Sequence, residues 1–384
     1  MARSFTTVVD ITIKMRIAIL RPIPQFSFSM DVYADGLIGG LKQIKPDWEI
    51  IEFAPVLSNP KGNPILRGID KYYQRYWHYP QLLRQQLDID LFHIVDHSDG
   101  HLLYWLKKLH QPTVITCHDL INLTQPDTFT GRSLVPLISM ASWKFAVAGI
   151  QYADRSIAVS SHTAQDMTEY LNIPSSEISV IPNAVDAKFK TIPSEEIKAF
   201  RQHQGISDDD FCLLNVGSNN LRKNIDSILR AIAILKTQNL PIHFWKAGAN
   251  FNADQQKFIV EHNLLNCVTY LGKPSPKELI QLYNAADVLV APSLYEGFGL
   301  TILEAMSCRT PVITSNVTSL PEVAGEAAIL IEPRDIQGIV TAVSRLYSEP
   351  LYRQSLIDKG LARVKQFTWS NTATQVAQVY QLVT

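Results

Sequence analysis

Two short segments place charges and glycines where a strand hands over to a helix. The first is Val216-Gly217-Ser218-Asn219-Asn220-Leu221-Arg222-Lys223-Asn224, followed by a helical pattern from Ile225 to Leu235. Cations at a helix start work against the helix dipole, which favours anions there. Arg222 and Lys223 so placed point to a bound anion: Arg grips phosphate oxygens through two bonds and Lys adds a mobile point charge. For such a pair taken alone, solvated surface charge is the plainer explanation. The second segment is Glu296-Gly297-Phe298-Gly299-Leu300-Thr301-Ile302-Leu303-Glu304-Ala305-Met306, after the apolar run Val288-Leu289-Val290 and the turn Ala291-Pro292-Ser293. Glycines beside a helix start let backbone N–H groups approach an anionic ligand. Glu296 stands in the loop and Glu304 about one turn inside the helix, so the two carboxylates can serve two ends of one ligand. A purely structural turn also explains glycines in that position.

The elements that must position these residues alternate from end to end. Apolar runs at Ile17–Leu20, Leu91–Val95, Thr113–Thr116, Ser156–Val159 and Ser179–Ile181 read as buried parallel strands. A second series follows at Cys212–Val216, Ile242–Trp245, Val268–Leu271, Val288–Val290 and Pro311–Ile313. Amphipathic stretches separate the runs, so the fold class is α/β with two doubly wound sheets. In such sheets ligands bind beyond the carboxyl ends of the strands. Two sheets facing each other make a cleft. The break falls near residues 183–205, where Pro193-Ser194-Glu195-Glu196 opens a polar helix. The expected domains are residues 1–190, with part of 366–384, and residues 191–365.

Composition bounds the function. The chain has 384 residues, 46% hydrophobic and 18% charged, with a formal net charge of -1. That is an ordinary globular composition, and its charge balance calls for no nucleic-acid partner. The four cysteines form no C-x-x-C pair and sit in apolar stretches, as structural thiols do in a reducing compartment. No run is long and apolar enough for a membrane span, and the first residues lack a signal-peptide pattern. The expected location is cytoplasmic, with peripheral contact at the inner membrane face left open. Residues 1–14 precede the first strand, and Met15-Arg16-Ile17 would itself make a good chain start.

Taken together, the two segments resemble the retaining glycosyltransferases of family 4, which have the GT-B fold. The E-x7-E element from Glu296 to Glu304 carries the resemblance. Thr310-Pro311-Val312-Ile313-Thr314, Leu320-Pro321-Glu322-Val323-Ala324-Gly325, Ile181-Pro182-Asn183-Ala184-Val185-Asp186 and Phe367-Thr368-Trp369-Ser370 extend it in the family's order. It is strong over about residues 155–375 and looser before them.

The resemblance implies roles. The N-terminal domain would bind an acceptor and the C-terminal domain a nucleotide sugar. Glu304 is expected on the donor ribose, Glu296 near the transferred sugar, and Arg222 and Lys223 on the diphosphate. The amides of Gly297, Phe298, Gly299, Leu300 and Thr301 would hold sugar hydroxyls and phosphate. Gly272-Lys273-Pro274 would border the base, which makes Lys273 a donor-side residue. His118, in Thr116-Cys117-His118-Asp119-Leu120, matches the family's cleft histidine, although a capping or core role also fits it. Asp96 and His97 end another strand on the same cleft. The final helix, with an apolar face of Ala373, Val376, Ala377, Val379, Tyr380 and Leu382 and a Ser370 cap, would cross back onto the N-terminal domain. The implied reaction moves a hexose from UDP-hexose or GDP-mannose to a saccharide or lipid-linked saccharide, with retention and no cofactor.

The chain also departs from the family. Relatives carry a Gly-Gly pair in the loop after the first strand, where this chain reads Arg21-Pro22-Ile23-Pro24-Gln25-Phe26-Ser27-Phe28-Ser29-Met30-Asp31. Phe28 and Ser29 therefore join Asp96 and His97 as acceptor-side candidates. Gly39-Gly40 falls later, within the first helix. Ser218 stands where many relatives have Arg, so Arg222 would supply that charge. Asp88-Ile89-Asp90 and Asp208-Asp209-Asp210 are D-x-D strings, but neither ends a strand beside the diphosphate site, and no metal is expected. The basic, aromatic stretch Lys71 to Pro80 suits an acceptor surface, a membrane interface, or a helix packing its rings inward. Two other readings stay open: a nucleotide-sugar epimerase of the same fold, and a non-catalytic nucleotide-sugar-binding protein. A phosphorylase would need a pyridoxal-phosphate lysine site, which is not found.

Overall fold

The computed structural model describes residues 14–24, 28–58, 63–86, 88–125, 136–207 and 209–384. The apolar runs become two parallel sheets of six strands each. The first holds β1 (Arg16–Leu20), β2 (Glu49–Phe53), β3 (Leu91–Ile94), β4 (Thr113–Cys117), β5 (Arg155–Ala158) and β6 (Ile178–Val180), in the order β2-β1-β3-β4-β5-β6. The second holds β7 (Phe211–Gly217), β8 (Ile242–Gly248), β9 (Val268–Tyr270), β10 (Val288–Ala291), β11 (Val312–Ser315) and β12 (Ile329–Ile331), in the order β12-β11-β10-β7-β8-β9. The sequence reading missed β2 and β12. Both are edge strands: β2 has only the pair Ile50-Ile51 between Glu49 and Glu52, and β12 is three residues long.

The order in which the parallel strands are added reverses between β1 and β3 in the first sheet and between β7 and β10 in the second. Ligands bind α/β sheets at such switch points. Helices cover both faces of the second sheet. The helix Leu300–Ser307 packs with Leu214, Leu289 and Val312 on one face. The helix Ile225–Thr237 packs with Leu213, Val288 and Ile313 on the other.

The linker runs to the helix Ser194–His203, which Pro193 precedes as expected. The final helix, Trp369–Val383, lies on the first helix, Phe28–Ile44. Two glycines one turn apart allow the approach: a Cβ on Gly36 would stand 2.0 Å from the Trp369 ring, and one on Gly40 2.7 Å from the Trp369 carbonyl oxygen. Ala373, Val376, Ala377, Val379 and Tyr380 are buried there. Two expectations need correction. Leu382 is 72% exposed, off the docking face. Thr368, not Ser370, caps the helix by accepting the Asn371 N–H at 3.2 Å.

The aromatic stretch divides instead of taking one role. Tyr79 is buried, while Tyr73 and Trp77 are exposed, and Arg75 turns inward to Asp99 at 2.5 Å. Asp90 accepts the Arg16 N–H, and Asp88 lies beside the Arg16 guanidinium, at the amino end of β3. Among the described residues no helix is long and apolar enough to cross a membrane. Residues 1–13, Gln25-Phe26-Ser27, the side chain of Phe28 and Asp208 lie outside the described residues.

Candidate active site

The switch point of the second sheet brings together the loops after β7 and β10. The turn Leu221–Lys223 follows β7, and Asn220 caps it by accepting the Arg222 N–H at 3.1 Å. Asn224 then adopts a left-handed conformation at φ 54°. Its side chain donates to the Pro292 carbonyl at 3.0 Å, while the Leu294 N–H donates to the Arg222 carbonyl at 2.7 Å. The loops therefore hold each other as one platform. Beneath it lies Lys246 on β8, fully buried, which donates to the carbonyls of Gly217 at 2.8 Å and Ala247 at 3.0 Å. Burial, with Lys223 nearby, lowers its pKa to about 8. Sequence reasoning missed this residue, although a lysine within Phe244-Trp245-Lys246-Ala247 is a detectable signal.

Arg222 and Lys223 share one carboxylate. Arg222 Nη1 is 2.5 Å from Glu296 Oε2, and Lys223 Nζ is 2.5 Å from Oε1. Ser293 Oγ donates to Oε1 at 2.8 Å. Burial works against this charge, but Lys223, Arg222 and the hydroxyl bring the carboxyl down to about 2. Glu304 is separate. Tyr283 OH donates to it at 2.6 Å, and burial raises its pKa against that bond. A cavity beside Glu304 is lined by Val185, Lys188, Pro276, Leu279 and Leu300. Lys273 is exposed in the loop after β9 and is not among the residues that line this cavity, which Pro276 borders. Ser218 is half-buried in the loop after β7.

The glycines of the second segment have different reasons. Gly299 has φ 102° and precedes the helix Leu300–Ser307, whose first turn carries Thr301. A Cβ on Gly297 would stand 1.9 Å from the His118 carbonyl oxygen, so the N-terminal half itself demands a glycine there. Phe298 packs edge-on against Phe367, with centroids 5.9 Å apart. Further bonds from the helix Ser161–Leu171 reach the same loop. Thr163 Oγ1 donates to the Gly297 carbonyl at 3.2 Å, and Tyr295 OH donates to Asp166 at 2.5 Å. Ser319 Oγ donates to the Glu296 and Phe298 carbonyls at 2.8 and 3.0 Å. Thr163, Asp166 and Ser319 were not singled out from the sequence, because each lies in a stretch of chain far from the loop it holds.

On the first sheet, His118 Nε2 donates to the Val95 carbonyl at 2.8 Å. Burial lowers its pKa against the pull of Asp96, so the ring is neutral with Nδ1 left as an acceptor. Tyr33 meets it edge-on at 4.7 Å. Asp96 and His97 are both buried behind it. Asp96 caps the turn His97–Leu102 by accepting the Ser98 N–H at 2.8 Å, and His97 Nδ1 accepts the His118 N–H at 3.3 Å. They hold the histidine loop and do not stand at an open surface. Ser29 is exposed at the start of the first helix.

Comparison with known proteins places this geometry. Residues 196–363 match the family described as Glycosyl transferases group 1, and residues 46–189 match Glycosyltransferase Family 4. The O-antigen chain mannosyltransferase B of Escherichia coli is 30% identical over 285 residues, 73% of each chain. The serotype-specific mannosyltransferase WbdA of Escherichia coli is 28% identical over 296 residues, which are 74% of this chain but only 36% of that longer protein. Among solved structures, HepE of Anabaena, crystallised with UDP and glucose, superposes with a TM-score of 0.76 at 17% identity over 96% of this chain and 100% of that one. The GT-B architecture expected from the sequence is therefore the fold of this chain. With a relative this similar along most of both chains, the protein belongs to the group 1 glycosyltransferases.

Proposed function

We propose that the protein is a retaining, metal-independent hexosyltransferase of the family 4 type. It would work on the cytoplasmic side in polysaccharide or glycolipid synthesis, with GDP-mannose or UDP-hexose as donor. The observation that carries this reading is the Arg222–Glu296–Lys223 cluster at the switch point, beside a glycine-bounded helix start. The donor's ribose lies on Glu304, its diphosphate on Arg222 and Lys223, and its sugar between Glu296, the Gly297–Thr301 amides and His118. The bond from the anomeric carbon to the diphosphate oxygen breaks, and that oxygen takes the electron pair. The acceptor oxygen bonds to the same carbon, and its proton passes to the leaving phosphate. Fixed cations stabilise the growing charge on the leaving group more than they stabilise the ground state. The mannosyltransferase relatives favour a mannose donor. Residues 1–190 would hold the acceptor and residues 191–365 the donor.

The test is nucleotide release from GDP-mannose and UDP-glucose, with and without saccharide acceptors. Release that rises with acceptor and survives excess EDTA is expected. Loss in EDTA with recovery in Mg²⁺ or Mn²⁺ would reject metal independence.

A further inference from the structure

One helix of the first half is mounted with its apolar side outward. The helix Pro64–Tyr73 and the turn Gln74–His78 that continues it lie between β2 and β3. Ile65, Leu66, Ile69, Tyr72, Tyr73 and Trp77 recur at the spacing of a single helical stripe. Each is between 40% and 64% exposed. The polar side faces the protein instead. Asp70 Oδ2 accepts the Ser58 N–H at 2.8 Å, the buried Gln74 donates to Ser58 Oγ at 2.9 Å, and Arg75 donates to Asp99 Oδ1 at 2.5 Å. A surface helix ordinarily has the reverse arrangement. A contiguous apolar patch of this kind marks an interaction surface.

The charges around the stripe select the partner. The whole chain carries a net charge of -1, yet cations gather here. From Asn63 to Gln86 the chain holds Arg67, Lys71, Arg75 and Arg84 against the single acid Asp70. Residues 100–118 and 136–153 add Lys107, Lys108 and Lys144 and no acid. Arg67, Arg84, Lys107, Lys108 and Lys144 are exposed. Helices from all three segments cover the same face of the first sheet, through Tyr79, Leu83, Leu103, Leu106 and Val147. Aromatic rings lie among the cations: Lys107 Nζ is 3.7 Å from the centre of the Tyr152 ring, and Tyr104 stacks on the exposed Phe145 with centroids 4.8 Å apart. An apolar stripe bordered by aromatic rings and basic side chains is what an anionic bilayer surface binds. A second copy fits worse, because a twofold contact through the stripe would bring the same cations together.

We propose that the outward face of residues 64–78 docks the protein on the surface of a bilayer that contains anionic lipid. The helix lies in the plane of the interface, with Ile65, Leu66 and Ile69 toward the acyl chains and Tyr72, Tyr73 and Trp77 at the headgroups. Among the described residues no helix is long and apolar enough to cross a membrane, so the contact is a peripheral one. The inner side of the same segment is fastened to the histidine site. Tyr76 packs on His101 with centroids 4.3 Å apart, and His101 belongs to the turn His97–Leu102, whose His97 accepts the His118 N–H. The docking surface stands apart from the transferase reading, since none of its residues belongs to the donor or catalytic set.

The test is co-sedimentation of the full chain with vesicles of phosphatidylcholine, and of phosphatidylcholine mixed with an equal part of phosphatidylglycerol, at low and high salt. Binding to the anionic vesicles is expected to be about tenfold or more tighter than to the neutral ones, and to weaken in salt. Ile69→Glu/Trp77→Glu should bind the anionic vesicles about tenfold or more weakly, because the apolar face has to enter the interface. Leu351→Glu, at an exposed leucine of the second half, is the control and should bind like wild type. No binding by the wild type, equal binding to both lipid mixtures, or undiminished binding by the double variant overturns the assignment. Sedimentation velocity identifies the rival occupant: a wild-type dimer that the double variant splits, without vesicle binding, would give the stripe to a second copy. The lipid and salt comparisons use the wild type alone, so they decide the matter even where the double variant melts early.

Discussion

Arg222 and Lys223 meet a single carboxylate, and that shared partner governs what each can do when a diphosphate arrives. Two cations aimed at one buried glutamate are already desolvated and oriented, so a phosphate group can replace or join the carboxylate with little rearrangement. Arg222→Ala and Lys223→Ala are each expected to lower kcat by about 10- to 1,000-fold, the range for losing a main transition-state charge contact. Steady-state rates near wild type in both would remove the diphosphate assignment. The same cluster sets an acid limb of stability. The Glu296 carboxyl falls from an ordinary 4.5 to about 2 in the folded chain. Its contribution is complete above pH 4.5 and is lost as pH falls through about 2. Urea midpoints measured across that window should fall for the wild type and run flatter for Glu296→Gln, whose plateau lies lower because Arg222 and Lys223 lose their partner. Parallel slopes would show that other groups carry the acid limb.

The loop after β10 shows why an element depends on its neighbour across the cleft. Gly297 has no left-handed backbone to explain it; the His118 carbonyl oxygen excludes a Cβ. Gly297→Ala must shift one of two loops. Overpacking of this kind costs roughly 1–3 kcal/mol, and the same displacement of Glu296 is expected to lower kcat about tenfold or more. Gly39→Ala is the control, because nothing lies within 4 Å of its added Cβ and alanine favours a helix interior by roughly 0.5–1 kcal/mol. Equal behaviour of the two variants would contradict the steric account. The strands and the two charged segments were legible because β-branched runs and glycine–helix junctions are local signals. β2 was not, because Glu49 and Glu52 break its apolar run at a sheet edge. Lys246, Thr163 and Asp166 were not, because their meaning lies in partners 29 to 134 residues away. Asp96 and His97 were read correctly as following a strand, but no periodicity reveals that a cap turns them inward.

At the scale of the molecule, the final helix ties the two halves together at three points. Its buried face sits on the first helix through Gly36 and Gly40. Its start holds the linker: the Val185 N–H donates to the Phe367 carbonyl at 3.1 Å, and Thr372 Oγ1 donates to the Pro182 carbonyl at 2.9 Å. Its far end reaches the histidine site, since Tyr380 OH is 2.6 Å from His93 Nδ1 and His93 Nε2 is 2.8 Å from Thr116 Oγ1, which bonds Tyr33 OH at 3.0 Å. Tyr33 in turn packs on His118. Truncation after Gln366 removes all three ties, and with Phe367 it also removes the ring against Phe298. Each buried side chain lost contributes roughly 1.5–3 kcal/mol, so the melting temperature is expected to fall sharply and kcat with it. Donor binding should outlast turnover, because Arg222, Lys223, Glu296 and Glu304 belong to the second sheet's own loops and helices. Tyr380→Phe separates the ties, keeping the packed ring while breaking the bond to His93. It should lower kcat with little change in nucleotide binding. A truncated chain that melts and turns over like the full one would show that the helix is an ornament on the first sheet, not the strut between the halves.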